Sequence, residues 1–264
     1  MVQPGCEPWH AEGTDDRAGT RVVLTHGLTA NPVGTRPLGE RLNREGFAVD
    51  VLLLPGHGTN LKDYVRSRYE DWRGEVDRAV TAARAAADRV VLVGHSLGGT
   101  LSLDVASSRP TDVDGIAVIN PQILDPTQFL AKLAPVLQYV LPVVPRNAAG
   151  LPTNDIARPD MDEHAYSHVA AKGAQSIIRN LPRIRRQLLD LTQPLLVVSS
   201  PQDHTVPAGN SDALVELVGS GDVTRVVCER SYHVPQLDWD RDLVENAIVT
   251  FVEKVHAAPA RQGA

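Results

Sequence analysis

The sequence predicts an α/β fold: a mostly parallel central sheet with helices on both faces and a small helical insertion. Three observations carry that prediction. Short apolar runs alternate with amphipathic segments along both ends of the 264-residue chain, and such alternation implies parallel strands joined by helical crossovers. The apolar run at 90–93 breaks into Gly94-His95-Ser96-Leu97-Gly98 where it ends, the pattern of a sharp strand-to-helix turn. The rhythm then fails over 121–190, where prolines and polar turns separate helical pieces and no clear strand appears.

Each element follows from its residues. Residues 21–25 are a β-branched run ending in His26-Gly27, and 37–45 carry a helical pattern that Gly46 terminates. Residues 47–54 read as strand and lead into Pro55-Gly56-His57-Gly58. An alanine-rich helix spans 71–87, with Trp72, Val76 and Val80 at helical spacing. Strand 90–94 precedes a helix at 97–108 whose Leu97, Leu101 and Val105 share one face, and strand 115–119 follows. Beyond the interlude, 194–199 and 223–228 read as strands, and 209–218 and 237–256 as helices. His10 reads as part of an irregular start, and the tail 257–264 as disordered.

Residues 1–120 and 191–256 therefore make the core, and 121–190 an insertion at the carboxyl end of the sheet, where ligands bind in such folds. It is expected to act as a lid. Its Phe129, Leu130, Leu133, Leu137, Val140 and Leu141 recur at helical spacing. They either pack the lid onto the core or line a channel for an apolar substrate.

Composition narrows the function. A net charge of −6 argues against a nucleic-acid or anionic-membrane surface. The basic run Arg183, Arg185, Arg186 reads as the solvated face of a helix. Cys6 and Cys228 cannot build a disulfide framework or a metal site, and their scarcity suits a reducing compartment. Residues 1–20 hold no apolar stretch of secretory type, and 129–145 is too short and too rich in proline to span a bilayer. A cytoplasmic protein without a membrane anchor is expected. No H-E-x-x-H, C-x-x-C, G-x-G-x-x-G or phosphate loop occurs, so neither metal nor other cofactor is implied.

The chemistry centres on Ser96. A serine on a strained turn needs tiny neighbours, which Gly94 and Gly98 supply, and it stands over the amino end of the next helix, where the N–H of Leu97 faces any oxyanion. A hydroxyl also needs a base, and the base an orienting acid. The order Ser…Asp…His selects Asp203, in Ser-Ser-Pro-Gln-Asp just past a buried strand, and His233, on the loop after the next strand. The loop after the first strand, His26-Gly27-Leu28-Thr29, should give the N–H of Leu28 as second oxyanion donor, with His26 holding that loop rather than moving protons.

These pieces resemble the α/β-hydrolases, and among them the small bacterial carboxylesterases and monoacylglycerol lipases. The likeness spans about 5–255. It rests on G-C-E-P-W-H-A-E-G, L-T-H-G-L-T-A-N-P, R-P-L-G-E-R-L, P-G-H-G-T, G-H-S-L-G-G-T-L, D-H-T-V-P-A-G-N and S-Y-H-V-P-Q-L-D. The resemblance implies a core sheet lacking the first hairpin of larger relatives, a small lid, and ester hydrolysis through an acyl-enzyme on Ser96, Asp203 and His233. It also implies that Glu163, by itself readable as an exposed helix glutamate, binds the glycerol head group, and that Asn120 is a pocket residue. The substrate expected is a monoacylglycerol or a similar single-chain ester of short to medium acyl length, with transient contact to lipid aggregates. A carboxylesterase without glycerol preference, a non-catalytic ligand binder and a carbon–carbon hydrolase fit the same motifs.

Overall fold

The computed structural model describes residues 1–126, 139 and 141–259. The strands are β1 (Trp9–Ala11), β2 (Thr20–Thr25), β3 (Ala48–Val51), β4 (Arg89–His95), β5 (Gly115–Ile119), β6 (Val143–Pro145), β7 (His168–Ala170), β8 (Leu195–Ser199) and β9 (Val223–Val227). The helices are α1 (Arg36–Arg44), α2 (Leu61–Tyr64), α3 (Tyr69–Ala86), α4 (Leu97–Ser108), α5 (Ala171–Gln187), α6 (Gly209–Leu217) and α7 (Arg241–Ala257). Seven strands make the main sheet in the order β1-β3-β2-β4-β5-β8-β9, parallel except for β1.

Period-two alternation explains why the central strands read as unbroken apolar runs. Val23, Val90, Leu92, Ile116, Val118, Leu195 and Val197 face one core, with Tyr69, Trp72, Leu101 and Ile177 from α3, α4 and α5. Val22, Leu24, Val91, Val93, Ala117, Ile119, Leu196 and Val198 face the other, with Leu38 and Leu42 of α1 and Val244, Ile248 and Val252 of α7. Both faces are covered, so both sets must be apolar. Each such side chain contributes about 1.5–3 kcal/mol on burial.

The departures from expectation have local causes. The strand expected to Leu54 stops at Val51. Leu52 N still donates to Leu24 O, but Leu54 N donates to the His26 ring, so the chain has left the ladder. The start is not irregular throughout: His10 lies in β1, which pairs antiparallel with β3. The buried Arg21 guanidinium holds this edge by pairing with Glu12 and Asp50. The helix expected from Leu237 begins at Arg241, because Pro235–Leu237 form a 3-10 turn and the Asp238 carboxylate accepts from the N–H groups of Ala157, Arg158 and Tyr232. Ala257, placed in the tail by the sequence, closes α7.

The segment 121–190 contains two strands where none was expected. β6 and β7 pair antiparallel, three residues each and too short to show a period. Phe129, Leu130, Leu133, Leu137 and Val140 lie outside the described residues, and Leu141 is half exposed. The Arg183 side chain does not extend freely into water. It forms two 2.7 Å bonds to the fully buried Asp104 of α4, which also accepts from Tyr69 Oη and Arg73 Nε. Its neighbour Arg185 donates to Ile123 O and Asp125.

Candidate active site

Ser96 alone separates β4 from α4, at φ 54° and ψ −117°. That conformation is strained for any residue with a side chain. The surroundings enforce it. A Cβ on Gly94 would stand 2.3 Å from Gly98 O, and a Cβ on Gly98 would stand 2.1 Å from Thr25 O. Both contacts are with backbone, so nothing larger fits. Ser96 N donates to Ile119 O of the neighbouring strand at 2.8 Å, which pins the turn to the sheet edge.

The loop after β2 lies against this serine: a Cβ on Gly27 would meet Ser96 Cβ at 3.2 Å. His26 holds the loop, its Nδ1 donating to Gly27 O and its Nε2 accepting from Leu54 N. Burial pushes its pKa down to about 4, so it is neutral near pH 7 and does not move protons there. Leu28 lines the cavity above Ser96, and Leu97 N–H is the first of α4. Neither N–H has a hydrogen-bond acceptor among the described residues.

Asp203 follows β8 and His233 follows β9. His233 Nδ1 donates to Asp203 Oδ2 at 2.7 Å, while Asp203 Oδ1 accepts from the N–H groups of Thr205 and Val206 at 2.7 Å each. Both side chains are buried. Burial acts to lower the His233 pKa, but the Asp203 charge and hydrogen bond, with the nearby carboxylates of Asp155 and Glu163, outweigh it and hold the imidazole above its ordinary value. With Nδ1 protonated, Nε2 is left to accept a proton. Ser96 and His233 line one cavity, with no direct hydrogen bond between them among the described contacts; such bonds often tighten only around substrate. His95 packs its ring 4.8 Å from that of His233 and donates from Nε2 to His233 O at 2.9 Å.

Asn120 does not lie where expected. It is absent from the cavity wall, and its amide is fully engaged: Nδ2 donates to Ser200 Oγ and His233 O, and Oδ1 accepts from Ser200 N. Its φ of 44° is left-handed, which asparagine tolerates better than most residues. It ties the acid loop to the histidine loop. Asn120→Ala should lower stability by about 2–3 kcal/mol, since His233 O and Ser200 N lose partners in a buried place. Thermal unfolding measures this, and kcat should fall with it.

Glu163 is neither helical nor exposed; it is 4% exposed and lines the cavity with Ser96 and His233. Burial raises its pKa, and Arg146 and His233 act against that. Two residues that the sequence did not single out complete the site. Arg146, after β6, lines the cavity, and the buried Asp155 accepts from the backbone and ring of His204 and from Thr205 Oγ1. No motif marks either. Asp155, Asp203 and His233 bring three metal-type ligand atoms within 4.8 Å of one another. Each already has a hydrogen-bond partner, which accounts for the cluster without an ion.

A parallel sheet of this topology with a strained serine at the β4–α4 turn and a buried Asp–His pair on the loops after β8 and β9 defines a serine hydrolase with the α/β-hydrolase fold. The chain belongs to the family described as serine aminopeptidase, S33, whose pattern matches residues 16–240. It is 30% identical to the thermostable monoacylglycerol lipase of Bacillus sp. (strain H-257) over 253 residues, 96% of each chain. With a carboxylesterase of Bacillus subtilis (strain 168) it shares 25% identity over 236 residues, 89% of this chain and 92% of that one. A solved structure from a study of two metagenome-derived lipolytic enzymes, LipS and LipT, superposes with a TM-score of 0.88 at 26% identity, covering 96% of this chain and 100% of the other. The activity class is serine ester hydrolysis. Among the described residues no helix is long and apolar enough to cross a membrane.

Proposed function

We propose that the protein hydrolyses monoacylglycerols, or closely similar esters with one acyl chain, through an acyl-enzyme on Ser96. One observation carries this reading. The cavity over Ser96 has an apolar wall of Leu28, Val144, Val169, Ile177 and Ile178, yet Glu163 and Arg146 line the same space. An acyl chain suits the apolar wall, and a hydroxylated leaving group suits the charged pair. The names of two relatives, a monoacylglycerol lipase and a monoglyceride lipase, support the same substrate class.

In this scheme His233 takes the Ser96 proton as the hydroxyl attacks the ester carbonyl, and Asp203 holds the imidazole in its Nδ1–H form. The N–H groups of Leu28 and Leu97 receive the oxyanion. His233 then protonates the leaving glycerol and activates the water that releases the fatty acid. The segment 121–190, which supplies Val144, Arg146 and Glu163 to the cavity, acts as a lid.

The test is kcat/KM for a chain-length series of 1-monoacylglycerols against ethyl esters of the same acids. Glu163→Gln should lower the monoacylglycerol-to-ethyl-ester ratio about ten-fold, the value of a hydrogen bond to a charged group. An unchanged ratio means a general esterase without glycerol preference.

A further inference from the structure

Asp155 belongs to the insertion, yet its side chain ends beside the proposed acid and base. It is 2% exposed. Its Oδ1 accepts from His204 Nδ1 at 2.8 Å, and its Oδ2 accepts from His204 N at 3.1 Å and Thr205 Oγ1 at 2.8 Å. An ionised carboxylate only accepts, so each of these groups is the donor. Asp203 Oδ1 takes the next two N–H groups, those of Thr205 and Val206. The two carboxylates thus share the backbone N–H groups of 204–206, and Asp203 Oδ2 is left for His233. The residues after Asp155 hold the other loop. Ile156 packs on Val234 and Leu237, and the N–H groups of Ala157 and Arg158 donate to Asp238, which also accepts from Tyr232 N. Residues 155–158 therefore strap the acid loop to the histidine loop from the insertion, as Asn120 does from the end of β5.

Stability alone accounts poorly for a carboxylate at this place. An oxygen of Asp155 and one of Asp203 lie within 4.8 Å of each other, and two buried negative charges so close repel. An uncharged acceptor would serve His204 and Thr205 without that cost. The group that gains from a second charge is the His233 imidazole, which brings an atom within the same 4.8 Å. We infer that Asp155 is a positioning residue for ester hydrolysis: it fixes the loop that aims Asp203 at His233, and its charge stabilises the imidazolium that forms as Ser96 gives up its proton. The inference rests on the reading of Ser96, Asp203 and His233 as a catalytic set. It gives the insertion a part in proton transfer as well as in binding. The surroundings of the imidazole agree in sign. Burial lowers its pKa, while Asp203, Asp155 and Glu163 raise it. His95, whose ring packs on it, is held neutral by burial, and Arg146 lines the same cavity. The more exposed His204 forms an ion pair with Asp155 only when it is protonated.

The experiment records pH profiles of kcat and kcat/KM on ethyl decanoate and 1-decanoylglycerol for wild type, Asp155→Asn and Asp155→Ala, with Ser96→Ala as blank. Rates of the first three are taken per active serine, counted by fluorophosphonate titration, so that loss of folded protein does not register. Asparagine keeps the shape and an oxygen for His204 N and Thr205 Oγ1, but carries no charge. Asp155→Asn should hold its plateau kcat within about five-fold of wild type and move the acid midpoint of kcat/KM to lower pH. The sign follows because the neutral imidazole takes the proton, and removing a negative charge favours that form. Asp155→Ala also loses the loop anchor. Its plateau kcat should fall about 100-fold, the cost of a slightly misplaced catalytic group. KM should change little, and both esters should lose equally. If both variants keep wild-type plateaus and midpoints while Tm or the count of active serines falls, Asp155 only stabilises the fold and the inference is overturned. An Asp155→Asn midpoint at the wild-type value overturns it too, as does a loss confined to decanoylglycerol. Should Asp155→Ala fail to fold, the Asp155→Asn midpoint decides alone. Ester turnover that survives in Ser96→Ala overturns the reading of Ser96 and this inference with it. Turnover abolished in Ser96→Ala but unmoved in both Asp155 variants overturns this inference only.

Discussion

Ser96→Ala is expected to lower kcat/KM about 10⁵-fold on every ester while leaving the fold intact. The size of the loss follows from what Oγ does in the proposed scheme. Without it no acyl-enzyme forms, and His233 and Asp203 have no hydroxyl to activate. What survives is binding plus the two oxyanion N–H donors, which retain a residual rate over water of about 10³–10⁴-fold in enzymes of this mechanistic kind. The intact fold follows from the turn itself. It is imposed by Gly94 and Gly98 against backbone carbonyls, and the Ser96 N–H bond to Ile119 O is unaffected by loss of the hydroxyl. Alanine must adopt the same φ of 54°, and like serine it has one Cβ to accommodate there. The check is steady-state kinetics beside circular dichroism and fluorophosphonate labelling. Residual turnover above about one part in 10³ would place the nucleophile elsewhere.

The proposed catalytic elements are legible in the sequence because the chemistry they would perform needs particular residues at particular spacings. Gly94, Ser96 and Gly98 are close in the chain, and the backbone contacts that forbid other residues at 94 and 98 write themselves directly into the pattern. Asp203 and His233 are distant in sequence, but each follows a buried strand of the parallel sheet, so topology brings them to one edge. The central strands were readable for a similar reason: with both faces covered, every position is apolar.

What the sequence concealed is contact that leaves no period. β1, β6 and β7 have three residues each, below the length at which alternation can be seen. Arg183 sits in a run of charges typical of a solvated face, and only the α4–α5 packing reveals that its partner is the buried Asp104. Arg146 follows a proline in a stretch with no motif, and its place in the cavity depends on how β6 lies over the sheet edge. Asn120 misled in the opposite direction. Its position at the end of β5 is close to the site, but its amide bonds to the acid and histidine loops instead of facing the cavity. Proximity to the sheet edge locates a residue near the chemistry without fixing which way its side chain turns.

Asp203→Asn is the second large effect expected, a drop in kcat of about 10⁴-fold. An asparagine of nearly the same shape keeps the packing, and its oxygen can still accept from Thr205 N and Val206 N. Its NH₂ group would then face His233 Nδ1, which favours the tautomer with the proton on Nε2. That form cannot accept the Ser96 proton. The pH profile adds a second readout. In the native protein Asp203, helped by Asp155 and Glu163, outweighs the burial of His233 and keeps the imidazole pKa raised. kcat/KM needs the neutral imidazole, so its acid limb should fall off with a midpoint above that of an ordinary histidine, and activity should rise as pH increases through it. Without the Asp203 charge and hydrogen bond, burial is opposed only by the weaker pull of Asp155 and Glu163, and the midpoint of the residual activity should move to lower pH. A variant with unchanged midpoint and near-native kcat would mean that another carboxylate orients His233. Asp155, whose oxygen lies within 4.8 Å of the imidazole, would then be the residue to replace.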